Sequence, residues 1–283
     1  MSISSERLDA FVTVARCSSF SKAATQLHVT QSALSQRIKH LEEDLGLTLF
    51  IRDSGGVQLT EAGQKMLRYC DIKGRLEEEL LDDLSISKAG RISGNLRLAC
   101  FSSIMRSVVI PSLSEFLRKN MGVSFEFLCR TVQELPQTLS RCEADFIIMD
   151  YRLEKSGLEA VHLGVEDYVV IESSRRTSPE DVFLDNDSND VATELFFAKQ
   201  KKAKVRYRRS YLADCYGIID GVREGLGRAV MPKHLVDVPG VKIVKGFEPF
   251  TREVVLHYYS QPFYPKLHQE TINEIRKNAP NLL

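Results

Sequence analysis

The sequence predicts an α+β protein of several domains: a small helical module with a two-stranded wing, a long linking helix, and a larger α/β part. Three observations predict it. Helical periodicity with hydroxyl caps fills residues 1 to about 60. A narrow apolar seam near heptad spacing follows to about residue 88. Beyond a Gly/Ser-containing hinge, short apolar strands alternate with helices. A chain of 283 residues with 43% hydrophobic side chains is long enough for two or three compact units, each with its own core.

The first helix is expected over 5–15, where Leu8, Phe11, Val12 and Ala15 recur at three- and four-residue spacing. Ser19 or Ser21 can cap a second helix running through Ala23, Ala24 and Leu27, and Thr30 can cap a third that begins at Gln31. In that third helix Leu34, Ile38, Leu41 and Leu45 share one face, Ser32, Ser35, Gln36 and Lys39 point elsewhere, and Gly46 supplies the stop. A helix with one buried stripe and a face of short hydroxyl and amide side chains suits the reading of base edges.

Residues 49–52 and 57–59 then form two extended pieces joined by Asp53-Ser54-Gly55-Gly56, a hairpin turn that makes a wing beside the helices. From Thr60 to about Lys88 the seam of Ala62, Met66, Tyr69, Leu76, Leu80 and Leu84 calls for pairing with a second helix, and Gly74 predicts an interruption in it. Ala89 to Asn95 is the expected hinge. Beyond it, strands are expected over 96–101, 123–129, 145–150, 168–172, 204–208, 228–231 and 253–259. Helices are expected over 111–120, 133–142, 190–199, 213–224 and 266–278. Such alternation implies mainly parallel sheets covered by helices, and the length of this part favours two sub-lobes.

Composition narrows the function. Lys plus Arg and Asp plus Glu both number 38, so any nucleic-acid role must rest on a local surface. The six cysteines contain no C-x-x-C pair, and neither they nor the six histidines show metal-ligand spacing, so no metal and no cofactor are expected. Acidic Glu6 and Asp9 stand where a signal peptide would be basic, and no apolar run could span a bilayer, so a cytoplasmic protein without a membrane partner is expected. There is no G-x-S-x-G elbow, no H-E-x-x-H helix and no phosphate-binding loop, which argues against an enzyme.

The run Phe11, Val14-Ala15, Ser19-Phe20-Ser21, Ala23-Ala24, Leu27, Val29-Thr30-Gln31-Ser32-Ala33-Leu34-Ser35-Gln36, Ile38, Leu41-Glu42, Leu45-Gly46, Leu49-Phe50 and Arg52 closely resembles the winged helix-turn-helix of LysR-type transcriptional regulators. The match continues through Leu59-Thr60-x-Ala62-Gly63. Farther on, Leu96-Arg97-Leu98, Pro111 before Phe116, Leu139 to Asp145-Phe146-Ile147-Ile148, and Gly225-Leu226-Gly227-x-Ala229-x-x-Pro232 look like that family's effector-binding domain. The resemblance implies a winged helix-turn-helix DNA-binding domain over 1–60 and a linker or dimerisation helix over 61–89. It implies a two-lobed, periplasmic-binding-protein-like effector domain over 90–283, with lobe I at about 95–161 and 264–283 and lobe II at about 162–263. It further implies a homodimer or homotetramer on double-stranded promoter DNA, modulated by a small molecule held between the lobes.

By that resemblance Gln31, Ser32, Ser35 and Gln36 face the bases, while Thr30, Arg37, Lys39, Lys22 and Arg52 anchor phosphates. The bland alternative is a solvated polar helix face. The wing lacks the second basic residue common in the family, and residues 1–60 hold six basic and six acidic side chains. A modest salt dependence and reliance on oligomer avidity are therefore expected. Effector contacts are expected at the carboxyl ends of strands: Ser102, Ser103, Thr131, Asp150 with Tyr151, and Asp214 to Tyr216 including Cys215. Helix capping is the alternative for each hydroxyl. Arg228 could pair with a ligand carboxylate or form a structural ion pair, and the basic run from Lys199 to Arg209 reads as a solvated edge strand. Such side chains are compatible with a small carboxylate, an amino acid or another polar metabolite. Two other readings of the C-terminal part are a ligand-free oligomerisation scaffold and a cysteine redox sensor, for which Cys215 is the thiol to test.

Overall fold

The structure, a computed structural model, describes residues 3–53, 56–84, 92–201 and 206–283, without the side chains of Asp53, Asp82 and Asp83. Several expected features lie outside these residues: the wing turn at Ser54-Gly55, the linker's end near Lys88, the hinge at Ala89-Gly90-Arg91, and Lys202 and Lys204 of the basic run. The chain divides into two units, Met1–Gly94 with Gln137–Glu143, and Asn95–Pro136 with Ala144–Leu283.

In the first unit α1 (Ser5–Cys17), α2 (Phe20–Gln26) and α3 (Gln31–Leu45) precede the antiparallel pair β1 (Phe50–Asp53) and β2 (Gly56–Leu59), and α4 (Glu61–Leu84) follows. Capping sets the joints. Ser4 accepts from the Arg7 amide, Ser19 from that of Lys22 and Thr30 from that of Ala33, so Ser19 and not Ser21 starts α2. Gly46 ends α3 at φ 64°, a left-handed conformation. Phe11, Leu34, Ile38, Leu41 and Leu49 are buried together, and the Phe50 ring carries the wing onto that core, 5.2 Å from Phe11 and 5.8 Å from Phe20. Ala23 and Ala24 are buried where α2 meets its neighbours. The expected break at Gly74 does not occur, and α4 runs unbroken through it. Tertiary packing and i,i+4 ion pairs such as Lys73 to Glu77 outweigh one glycine's penalty of about 1 kcal/mol.

The rest of the chain, which apart from Ser93–Gly94 and Gln137–Glu143 is the second unit, contains β3 (Ser93–Cys100), then α5 (Ser102–Ile104) passing through a π turn into α6 (Ile110–Lys119), followed by β4 (Gly122–Cys129), α7 (Leu135–Ser140), β5 (Phe146–Met149) and β6 (Leu158–Ser173). It continues with β7 (Val182–Asp185), α8 (Ala192–Lys199), β8 (Arg208–Tyr211), α9 (Cys215–Arg223), β9 (Ala229–Pro232), β10 (Val241–Ile243), β11 (Phe250–Tyr259) and α10 (Lys266–Asn278). Here the expectation of mainly parallel sheets fails. β3 runs parallel to β5 and β7 to β8, but β11 is antiparallel to both β5 and β6, and β6 is antiparallel to β9 and β10. The cause is β6, 16 residues long where only 168–172 was expected, lying against β11 from Leu158↔Tyr259 to Tyr168↔Phe250. Its first half is only partly buried, so it lacks the continuous apolar run that marks a buried strand.

These two strands join a half built on β4, β3 and β5 to a half built on β7, β8, β9 and β10. A β-bulge at Val254/Val255 marks the passage, and Val255 to His257 pair with β5. Leu98, Phe146, Ile147 and Leu256 fill the first half, whereas Phe183, Phe196, Tyr168 and Phe250 form an aromatic cluster in the second. Strands β7 and β10 were not foreseen; of the strand expected at 204–208, residues 204–205 lie outside the described residues, and among the described ones β8 spans Arg208–Tyr211.

Candidate functional site

On the first unit, α3 buries Leu34, Ile38 and Leu41 and turns Gln31, Ser32, Gln36 and Lys39 outward, while Ser35 is half-buried. Thr30 has two tasks, since its hydroxyl caps Ala33 and lies 3.1 Å from that of Ser32. Gln31 Oε1 accepts from the Ser21 hydroxyl at 2.9 Å, tying the helix start to α2. Arg37 is ion-paired with Glu6 at 2.8 Å, and Lys39 with Glu43 at 3.5 Å. Arg52, on the wing, lays its guanidinium over the Phe20 ring at 3.9 Å from its centroid. Together these residues make one polar surface of amides, hydroxyls and cations, the side-chain types that bond base edges and phosphates.

The wing is held to this surface by contacts that the sequence reading did not find. Glu42 Oε1 accepts the Leu49 and Phe50 amides at 2.7 and 3.3 Å, which fixes the start of β1. Thr60 donates its hydroxyl to the Thr48 carbonyl at 2.7 Å and accepts the Gly63 amide at 3.0 Å, capping α4. Gly63 presses against the wing so closely that a Cβ there would lie 2.2 Å from the Leu49 carbonyl oxygen. Leu-Thr-x-Ala-Gly is therefore a docking joint between wing and linker helix. Along α4, Tyr69, Leu76, Leu80 and Leu84 are exposed, while Met66 packs on the core.

The second unit encloses a cavity of about 510 Å³ where the two halves of its sheet meet. Ser102, Ser103, Thr131, Asp150, Tyr151, Asp214 and Cys215, widely separated in sequence, all line it. Several of their polar atoms are already engaged. Ser102 Oγ lies 3.4 Å from Cys215 Sγ, and Asp214 caps α9 through the Gly217 amide. Glu134 folds back to accept the Thr131 amide and hydroxyl at 2.9 and 2.8 Å, and these bonds hold its carboxyl below the usual range. Burial pushes the Cys215 thiol up, which keeps it protonated and disfavours thiolate redox chemistry. All six cysteines are free.

Two expectations are corrected by the ion pairs. Arg228 does not line the cavity; Glu172 at 2.7 Å and Glu180 at 3.0 Å take its guanidinium. Arg209, expected on a solvated edge, is largely buried against Asp185 and Glu194 and donates to the Asp187 and Asp190 carbonyls. It thereby braces the loop that forms one cavity wall. Tyr216 also points away from the cavity and stacks under Arg106, 3.4 Å from its ring centroid. Helices α8 and α9 start two residues later than expected: Asp214 caps α9 through the Gly217 amide, and Asp190, two residues ahead of α8, accepts the Ala192 amide.

Arg252 and Tyr168 belong to the cavity but were missed. Arg252 bonds Asp150 at 2.6 Å and stands opposite Glu166 in the β6–β11 register. Glu166, fully buried, accepts from Tyr168 at 3.2 Å and meets His234 Nε2 at 2.7 Å. Only the strand register reveals this cluster, because β6 and β11 are some ninety residues apart in sequence. Among the described residues no group of His, Cys, Asp and Glu could hold a metal ion, and no helix is long and apolar enough to cross a membrane.

Known proteins share both units. A family model described as "Bacterial regulatory helix-turn-helix protein, lysR family" matches residues 5–64, and one described as "LysR substrate binding domain" matches residues 89–280. The transcriptional regulator YofA of Bacillus subtilis is 27% identical over 242 residues, 81% of each chain. Among solved structures, ArgP from Mycobacterium tuberculosis superposes with a TM-score of 0.82 at 20% identity, covering 99% of both chains. Full-length LysG from Corynebacterium glutamicum, with bound effector Arg, gives 0.77 at 18% identity and the same coverage. At such identities the superpositions establish the fold.

Proposed function

The chain belongs to the LysR family of bacterial helix-turn-helix regulators, and from that premise we propose how this DNA-binding transcriptional regulator divides its work among its residues. Gln31, Ser32, Ser35 and Gln36 read base edges in the major groove, and Thr30, Arg37, Lys39 and Arg52 grip the flanking phosphates. One observation carries this reading: α3 buries its whole apolar stripe and presents Gln31, Ser32 and Gln36 to solvent. The exposed apolar residues of α4 support a dimer seam, and paired or fourfold assembly supplies the avidity that a charge-balanced module needs.

The cavity lined by Ser102, Ser103, Thr131, Asp150 and Cys215 is the effector pocket. Its volume and its polar wall support a small polar effector, a carboxylate or an amino acid, and the arginine-bound LysG structure is a fold-level precedent for the latter. Effector binding favours one arrangement of the two halves joined by β6 and β11, and that preference alters promoter engagement. The regulator works in the cytoplasm, where promoter DNA is reached.

A gel-retardation series on the chain's own upstream region tests the DNA assignment. Gln36→Ala is expected to cost about 1–3 kcal/mol on the cognate site and to relax discrimination, whereas Lys39→Ala weakens all sequences alike. Absence of any retarded complex at low ionic strength would overturn it.

A further inference from the structure

Five carboxylates line the cavity, on Glu134, Asp150, Asp187, Asp190 and Asp214, against two guanidinium groups, on Arg130 and Arg252. Four of the five have fixed tasks in the loops that carry them. Asp187 accepts from the Asn186 side chain and the Asn189 amide, Asp190 from the Asn186 and Ala192 amides, Asp214 from the Gly217 amide, and Glu134 from Thr131. Their charge remains, but their geometry is explained by capping and turn formation.

Asp150 differs. It is 7% exposed, its Oδ2 bonds Arg252 at 2.6 Å, and its Oδ1 is buried with no hydrogen-bond partner. An ionised carboxylate with one oxygen unbonded in a low-dielectric wall is an unfinished arrangement, because buried acceptors are almost always satisfied. Arg252 reaches Oδ2, and buried Glu166 is its partner in the strand register, a second carboxylate beside the same arginine. Burial pushes the Asp150 carboxyl up, against the opposing pull of the Arg252 charge and a backbone hydrogen bond, and Glu166 and Asp190 add to the rise. A neutral hydroxyl could bond Oδ1 but would leave the surplus of negative charge around it unanswered.

Resting on the reading of this cavity as the effector pocket, we propose that its ligand carries a cationic nitrogen, an ammonium or guanidinium group, that donates to Asp150 Oδ1. Ser103 and the lone pairs that remain on the engaged hydroxyls of Ser102 and Thr131 line the wall that the rest of the molecule would meet. This narrows the effector from any small polar metabolite to amines, amino acids and guanidino compounds.

Thermal unfolding of the full-length protein tests the proposal with probes of one span and different charge: 1,4-diaminobutane, 4-aminobutanoate, 1,4-butanediol and succinate, with L-arginine for the guanidinium group. A cationic probe is expected to raise Tm by roughly 5–10 °C at a hundredfold excess over its Kd. The shift should vanish in Asp150→Asn, whose fold is verified by an unchanged circular-dichroism spectrum and a cooperative unfolding transition. Should that variant not fold, N-acetylation of every amine of the active probe, with Nα-acetylcitrulline standing in for L-arginine, removes the positive charge from the ligand side and must abolish the shift on the unaltered protein. A shift confined to succinate or butanediol overturns the cationic assignment and leaves the pocket reading standing. A cationic shift that survives both Asp150→Asn and N-acetylation overturns the role of Asp150. No shift from any of the five probes overturns the proposal and the pocket reading together.

Discussion

Two glycines eleven positions apart on α4, Gly63 and Gly74, should respond in opposite directions to the same substitution. At Gly74 nothing lies within 4 Å of an added Cβ, and the position is off the apolar seam, so Gly74→Ala gains helix propensity at no steric cost. The expected gain is about 0.5–1 kcal/mol. At Gly63 the same Cβ meets the Leu49 carbonyl oxygen at 2.2 Å and Leu59 Cδ2 at 2.9 Å. Carbon–oxygen contacts ordinarily begin near about 3.3 Å, so helix and wing must part by roughly 1 Å. The obstacle is backbone that Glu42 and Thr60 hold in place from either side, and it cannot yield as a flexible side chain would. Overpacking of this kind costs about 1–3 kcal/mol, enough to cancel the propensity gain and leave a net loss. For a unit of this size each kcal/mol shifts Tm by about 4–8 °C. Circular-dichroism melts of the three proteins should rank Gly74→Ala above the parent chain and Gly63→Ala below it, and Gly63→Ala should also bind DNA less tightly because the wing carrying Arg52 is displaced. If Gly63→Ala melts at or above the parent chain, the wing is not clamped as described.

Arg209→Met would strand Asp185, which is 2% exposed, without its counter-ion and release the Asp187 to Asp190 wall. A loss of about 3–5 kcal/mol in urea unfolding is expected, and a loss under 1 kcal/mol would show the network to be ornamental. Glu6→Gln frees Arg37 from its ion pair, so DNA affinity should rise and the salt dependence steepen by about one unit of log–log slope. Salt titration of the gel shift measures both, and an unchanged slope would mean that Arg37 does not reach phosphate. His257 is buried and accepts the Leu153 amide through Nε2 at 2.9 Å, so burial holds its pKa below the ordinary imidazole value. Above about pH 6.5 the ring is neutral in folded and unfolded chains alike, and its contribution is fully present. As pH falls below that, the unfolded chain takes up the proton first and stability declines through the folded pKa. His257→Gln should flatten this part of the stability profile between about pH 5 and 7, and an unaltered profile would remove His257 as its source.

The first unit was legible because its determinants are local. Hydroxyl caps at Ser19 and Thr30, the stripe Leu34, Ile38, Leu41, and Gly46 at a left-handed turn each act within one helical turn of their own position. What escaped the sequence there was the joint of Glu42, Thr60 and Gly63, whose partners lie seven or more residues away and become evident only when the wing is in place. The second unit was legible as strand–helix alternation but not as topology. Strand direction depends on pairing, and nothing in the half-polar first part of β6 announced that it would lie along β11. The same ignorance of register hid Arg252, read as one more charge in a strand until Glu166 and Asp150 stood beside it.

The rule that ligands gather at the carboxyl ends of strands selected residues that line one cavity of the second unit but could not separate binding groups from capping groups, because both use the same side chains in the same places. Bond accounting separates them. Asp214 and Asp190 each accept amides from the chain segment that bears them, and Thr131 donates to Glu134, so much of their bonding capacity is consumed by folding the loops. Arg228 and Arg209, the basic residues most readily imagined as ligand anchors, are taken up by carboxylates already on the protein. Subtracting every satisfied group leaves Asp150 Oδ1 as the lining carboxylate oxygen that is both buried and unbonded. A pocket in which Asp150 Oδ2 takes up Arg252 while its Oδ1 stays unbonded offers a complement to positive charge at that point, and this holds irrespective of which hydroxyls complete the contact.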